Sequence, residues 1–296
     1  MKCNHKNILK LTDIKISHQP VFKRYSENSE LWMHFFLYLF LNKVKWAKFN
    51  KTLCIFQKDF FDRTWQLQSL PLGEGPKVIE TLNYLINKGV VSKILFATTA
   101  DLNLIKKADR KFKKSVKIGE DFIYKTKDLI NLNGNKYGNI RRLISKFKKS
   151  YQYKFIDCKK EHFTKINKFL EVWYKDKTRG VKEAPLALKE DFKNTKNALK
   201  HLKKLNDVKS ILLKNEDKII GLAIFGALNK NMNIEFIIKT AKEYKGISYF
   251  LMHEIVKGSP EITYLNFGGC GKSESLKTHK MRLHPVKINS IYKVYF

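Results

Sequence analysis

Lys277 and Lys280 stand three residues apart near the end of the chain. On a helix that spacing puts both ammonium groups on one face, as part of a site or of a solvated basic face. Glu235 lies in I-E-F-I-I, an acidic residue inside an apolar strand pattern. It could accept a proton from an acceptor amine or orient it, or it could simply face solvent by strand alternation. Asn266 ends a predicted strand ahead of a Gly-rich turn, where an amide can orient a substrate or cap the turn. Arg141 and Arg142 are adjacent arginines in a chain whose positive charge is almost all lysine. Bidentate recognition of an anion explains such a pair, and so does an ion pair to a carboxylate. Lys242, Gly246 and Ser248 surround the start of a predicted helix, where backbone N–H groups can hold phosphate; an ordinary helix start also accounts for Gly and Ser. Trp173 fits a core position as well as a ligand contact. His253, His279 and His284 could titrate usefully, but the sequence singles out none as a base. There is no G-x-S-x-G, no H-E-x-x-H and no nucleophilic cysteine context.

The elements that must position these groups follow from the apolar pattern. Residues 30–44 read as a buried helix, with a membrane-surface helix as the lesser reading because Lys43, Lys45 and Lys48 follow. Strands are expected at 46–56, 65–70 and 90–97, helices at 77–88 and 98–107, and a short strand at 122–124. Residues 128–151, D-L-I-N-L-N-G-N-K-Y-G-N-I-R-R-L-I-S-K-F-K-K-S-Y, begin with apolar-polar alternation. They break at Asn133-Gly134-Asn135 and become a basic helix. The second half then reads β-α-α-β-β-β-α-β-β over 153–296, with its last helix at 247–256.

Composition bounds the partners. The chain has 296 residues, 43% of them hydrophobic, enough for a large core. Its 59 basic and 27 acidic residues give a formal net charge of +32. Part of that lysine excess is what an AT-rich genome produces; the remainder favours RNA, an anionic membrane face or a CoA-like ligand. Cys3, Cys54, Cys158 and Cys270 form no C-x-x-C pair, so neither a metal site nor a disulfide framework is expected. The longest apolar run, 31–41, is about half of a bilayer span, and no signal peptide is read. Cytoplasmic location is expected, with the inner membrane face as a second place of action.

The segment 128–151 resembles the family related to the C-terminal synthase domain of phosphatidylglycerol lysyltransferase. The resemblance rests on D-L-I-N-L-N-G-N-K-Y at 128–137, then Arg141, Phe147 and Tyr151. It extends to P-L-G at 71–73, Trp173, Asn266 and the closing L-K-T-H-K-M-R-L-H-P at 276–285. It departs from the family at Lys277, where Arg is usual, at Arg142, where Asn is usual, and in F-G-G-C-G-K-S-E after Asn266. The resemblance implies a mixed-sheet α/β (α+β) fold of two GNAT-like lobes in tandem, here 1–127 and 153–296, joined by a basic segment at 128–152. Arg141 and Arg142 would then lie at or near a cleft. It implies transfer of an aminoacyl group from aminoacyl-tRNA to an amine or hydroxyl, with tRNA as partner. A CoA-dependent N-acyltransferase is the alternative, and a non-catalytic RNA- or membrane-binding scaffold a second one. The resemblance also gives Lys280 the donor's carbonyl or phosphate, and Lys277 a weaker phosphate contact. Lys242, Gly246 and Ser248 match the usual GNAT pyrophosphate signature, R/Q-x-x-G-x-G/A, only in part.

Overall fold

The computed structural model describes residues 9–108, 111–271 and 273–296; Cys3 and Arg110 lie outside them. In chain order the elements of the first half are β1 (Thr12–Asp13), α1 (Gln19–Tyr25), α2 (Phe36–Leu41), β2 (Lys45–Phe49), β3 (Thr52–Lys58) and β4 (Trp65–Leu67). There follow α3 (Pro76–Asn87), β5 (Lys93–Thr98), α4 (Thr99–Ala108) and β6 (Lys114–Lys125). The second half has α5 (Thr126–Asn131), α6 (Gly138–Ser150), β7 (Lys154–Asp157), α7 (Phe163–Thr178) and α8 (Leu186–His201). It ends with β8 (Val208–Asn215), β9 (Lys218–Asn229), β10 (Met232–Thr240), α9 (Ile247–Lys257), β11 (Tyr264–Asn266), α10 (Glu274–Met281) and β12 (Lys287–Tyr295).

The backbone divides into two compact units: Met1–Phe122 with Gly269–Ser273 and Ile288–Phe296, and Ile123–Gly268 with Glu274–Lys287. In the first unit β1 to β5 are joined in order, β4 and β5 parallel, and the last strand of the chain, β12, pairs antiparallel with β5. Its core is built from Phe56, Leu67, Leu82, Leu85, Ile94 and Val294, because α3 and the strands each bury one apolar face.

The single helix expected over 30–44 is broken. Trp32–His34 form a 3-10 turn, Phe35 is extended, and only Phe36–Leu41 are α-helical. The His34 ring explains the break: it is held between the hydroxyls of Ser29, at 2.6 Å, and Ser69, at 2.7 Å, which fixes the chain before α2. Leu31, Phe35, Leu37 and Leu39 are buried, so most of this run is core. Among the described residues no helix is long and apolar enough to cross a membrane.

In the second unit β7, β8, β9 and β10 form an antiparallel meander. β11 lies parallel to β10, and the end of β6 pairs antiparallel with β11. Parallel neighbours need a crossover, and α9 supplies it. The order β-α-α-β-β-β-α-β from β7 to β11 is the one read from the sequence. The alternating start of residues 128–151 is not a strand: Thr126–Asn131 are helical and end in left-handed Leu132. α6 packs on α9 and stacks Phe147 on Phe250, with ring centroids 4.7 Å apart. It is thus built into this unit's core.

Candidate active site

β10 and β11 are paired only from Met232–Tyr264 to Ile234–Asn266. Past that point β10 runs on to Thr240 while the chain leaves β11 through Phe267 and Gly268, the latter at φ +59°. Glu235 is the first residue beyond the last pair. A β-bulge at Phe236 follows directly, because Glu235 opposes Phe225 and Ile237 opposes Ile224.

Lys280 reaches this opening from the last turn of α10. It is buried, and its ammonium donates to the carbonyl oxygens of Phe267 and of Gly268, the latter at 2.9 Å. The Tyr124 hydroxyl donates to the Lys280 carbonyl at 3.0 Å, which fixes the backbone below the side chain. Asn266 is fully buried, and its Oδ1 accepts the Gly268 N–H at 2.7 Å. That bond shapes the turn whose carbonyls hold Lys280, so Asn266 carries a positioning duty and the turn-capping reading holds.

Glu235 keeps part of its surface open, yet its carboxyl is closely surrounded by protein. Burial pushes its pKa up to about 7, against the opposing pull of Lys280 and then Lys239. A carboxylate that titrates near neutrality, facing a buried cation at a strand opening, is a suitable acid–base pair. The neighbouring His279 is stacked on Tyr249 at 4.4 Å, and burial, with Lys280 and Arg282, lowers its pKa to about 4. It is therefore neutral at pH 7. His253 donates to the Ile130 carbonyl and His284 to that of Lys136, both in structural roles.

Lys239, which the sequence reading did not single out, is buried and makes a two-point ion pair with Asp191 at 2.9 and 2.7 Å. Its ammonium lies 4.6 Å from the centre of the Trp173 ring. Trp173 also lines a cavity of about 680 Å³ with Phe169, Val172, Ile219 and Lys242. Because Lys239 lowers the Glu235 pKa, Lys239→Met raises it. The pH–rate profile of Lys239→Met is expected to shift toward alkaline pH, read against wild type across pH 5.5–9 as an approximate working range.

The remaining predicted residues lie elsewhere. Arg141 donates to the carbonyls of Leu132 and Gly134, the latter at 2.8 Å, and clamps the turn before α6. That turn carries Tyr137, whose hydroxyl donates to the Leu283 carbonyl at 3.4 Å and whose ring meets His284 edge-on at 5.2 Å. The conspicuous N-G-N-K-Y stretch thus anchors the chain just after Lys280. Arg142 is exposed and bonds the Asn139 side chain. Lys277 is half-buried on α10, one turn from Lys280.

Gly246 has a packing reason of its own. A Cβ at Gly246 would run into the Leu143 carbonyl oxygen, and its φ is +91°. Close packing of α9 against α6 therefore accounts for this glycine. Lys242 is exposed and pairs with Asp176 at 3.2 Å, while Ser248 sits half-buried in the first turn of α9. Gly246→Ala is expected to cost about 2–4 kcal/mol from strained backbone and forced separation of the helices, measured by denaturant unfolding.

Residues 33–293 match the family described as phosphatidylglycerol lysyltransferase, C-terminal. The chain belongs to that family. Its fold is mixed α/β, with parallel and antiparallel strand pairs. A conserved protein of unknown function from Bacteroides thetaiotaomicron superposes with a TM-score of 0.81 at 17% identity, covering 98% of this chain and 100% of that one. L-PGS from Bacillus licheniformis superposes at 0.66 and 15% identity, over 96% and 92%. FemX superposes at 0.62 and 10% identity, over 97% and 98%. No curated protein matches the chain by sequence. The family is one of transferases, and the similarity to these solved structures is one of fold.

Proposed function

We propose that this chain moves an aminoacyl group from aminoacyl-tRNA to an amine or hydroxyl acceptor at the opening between β10 and β11. The acceptor class is a lipid headgroup, a peptide or a small amine. The observation that carries the reading is Lys280, a buried cation held on two backbone carbonyls beside a carboxylate raised to about 7.

The chemistry balances with these two groups. The acceptor nitrogen or oxygen attacks the ester carbonyl carbon, and Glu235 takes the proton it sheds. The carbonyl oxygen becomes an oxyanion, which the Lys280 ammonium stabilises. When the C–O ester bond breaks, Glu235 returns its proton to the departing ribose hydroxyl. Both groups act at a strand opening that positions the reactants.

Family membership and the formal charge of +32 support a tRNA donor, since neutralising phosphates drives such binding. The packing of Gly246 on Leu143 weighs against a CoA pyrophosphate at the start of α9. The separating experiment offers two donors in parallel, charged total tRNA with labelled amino acids and labelled acetyl-CoA, each with a broad set of acceptors. Label leaving tRNA and not CoA is expected. Transfer from acetyl-CoA alone supports the thioester alternative, and transfer from neither supports a binding scaffold.

A further inference from the structure

The hairpin between β3 and β4 carries two large apolar side chains that folding leaves in water. Phe61 is 83% exposed and Phe60 56%. Two adjacent exposed aromatic rings make a contiguous apolar patch, the kind that marks an interaction site, whereas single exposed apolar side chains are ordinary. The tip is rigidly built. Asp59 N–H donates to the Thr64 carbonyl at 2.8 Å, and the Asp59 carboxylate, itself buried, accepts the Phe61 N–H at 2.9 Å. Asp62 accepts both the N–H and the hydroxyl of Thr64. The rings therefore stay outside because the backbone beneath them is fixed.

The surroundings are cationic. Lys293 pairs with Asp59 at 3.0 Å and also lies 5.1 Å from the centre of the Phe61 ring. Lys93 pairs with both Asp59 and Asp62. Lys58 and Arg63 flank the tip and are exposed, and Lys58 lies 5.6 Å from the Trp65 ring. Lys93 and Lys293 are largely buried and balance Asp59 and Asp62, so the exposed Lys58 and Arg63 leave the rim of the tip positive. Aromatic side chains at a protruding tip, ringed by lysine and arginine, match the layering of a bilayer interface with anionic headgroups. The two rings stand at 89° to each other, which offers no pair of parallel faces for stacking bases.

We propose that this hairpin docks the protein on an anionic lipid surface by inserting Phe60 and Phe61 among the acyl chains while the exposed Lys58 and Arg63 meet the headgroups. The inference does not depend on the reaction at Glu235 and Lys280, since its readout is binding alone.

The test is co-sedimentation of the full chain with vesicles of mixed phosphatidylglycerol and phosphatidylcholine, and with vesicles of phosphatidylcholine only. Salt-sensitive binding to the anionic vesicles is expected. The Phe60→Ser, Phe61→Ser double variant should bind about tenfold or more weakly, the scale set by two buried rings, with an unchanged unfolding midpoint. Phe61→Trp should show a blue-shifted emission on adding the anionic vesicles. Equal vesicle binding by the double variant, or no emission shift in Phe61→Trp, overturns the proposal. So does loss of single-stranded RNA binding or of self-association in the double variant without loss of vesicle binding.

Discussion

Lys280→Met is expected to lower acyl transfer by about a hundredfold or more, the scale of losing one preorganised oxyanion donor. Met fills a similar volume, so the loss is of charge and hydrogen bonding. The substitution leaves the Phe267 and Gly268 carbonyls without the ammonium that now holds them, at a cost of about 1–3 kcal/mol in stability. Single-turnover rates taken well below the unfolding midpoint separate the two effects. The pH profile supplies a further signature. Lys280 is the strongest of the charges that pull the Glu235 pKa down, so its removal pushes that pKa further up. Any residual activity in Lys280→Met should therefore rise only at more alkaline pH than in wild type. A purely structural Lys280 would reduce the amount of folded enzyme and leave that limb unmoved.

Glu235→Gln has the next largest expected effect, a fall of about 10² to 10⁴ in kcat, the range for losing a general base. In wild type the base is competent only when ionised. The rate should climb through about pH 7 and then level off, and in Glu235→Gln this limb should be absent. Stability has the opposite dependence. The folded-state pKa is above the ordinary carboxylate value of 4.5, so between about pH 4.5 and 7 the native state binds more protons than the unfolded state. Ionising Glu235 therefore costs stability as pH rises through this window. Glu235→Gln should unfold at a higher denaturant concentration than wild type at pH 8. The gain has an upper bound of about 3 kcal/mol and vanishes near pH 4. Higher stability together with lost activity is what a residue kept for chemistry gives, and a destabilised variant would speak against it.

The second lobe was readable from its periodicity because its strands are long and apolar and its crossover helix is bracketed by Gly246 and Gly258. The helix expected over 30–44 failed because composition alone could not show that His34 would bond Ser29 and Ser69 and turn the chain. Glu235 and Lys280 were singled out in the sequence, but the point where β10 and β11 part, beside which both stand, is something no local pattern encodes. The bulge at Phe236 also upsets the simple alternation by which the orientation of Glu235 would be judged. Lys239 went unseen among so many lysines because its mark is a partner 48 residues away, Asp191.

Two prominent sequence features gained a structural account. Gly246, read as part of a possible anion cradle, is the place where α9 meets the Leu143 carbonyl. The Arg141 guanidinium, conspicuous for its rarity, closes the turn that holds Tyr137 against the chain after Lys280. It therefore acts through positioning, as does Asn266 through its bond to Gly268. Arg142 remains an exposed side chain with a local bond to Asn139.

The most direct test of the central claim is single-turnover transfer from charged total tRNA by wild type and Glu235→Gln, measured across pH 5.5–9 as an approximate range that spans the raised carboxylate pKa. The account predicts transfer from tRNA by wild type with a limb near pH 7, and a rate in Glu235→Gln about a hundredfold or more lower with no limb. Equal rates and profiles in the two proteins, or transfer from acetyl-CoA with none from tRNA, would contradict it.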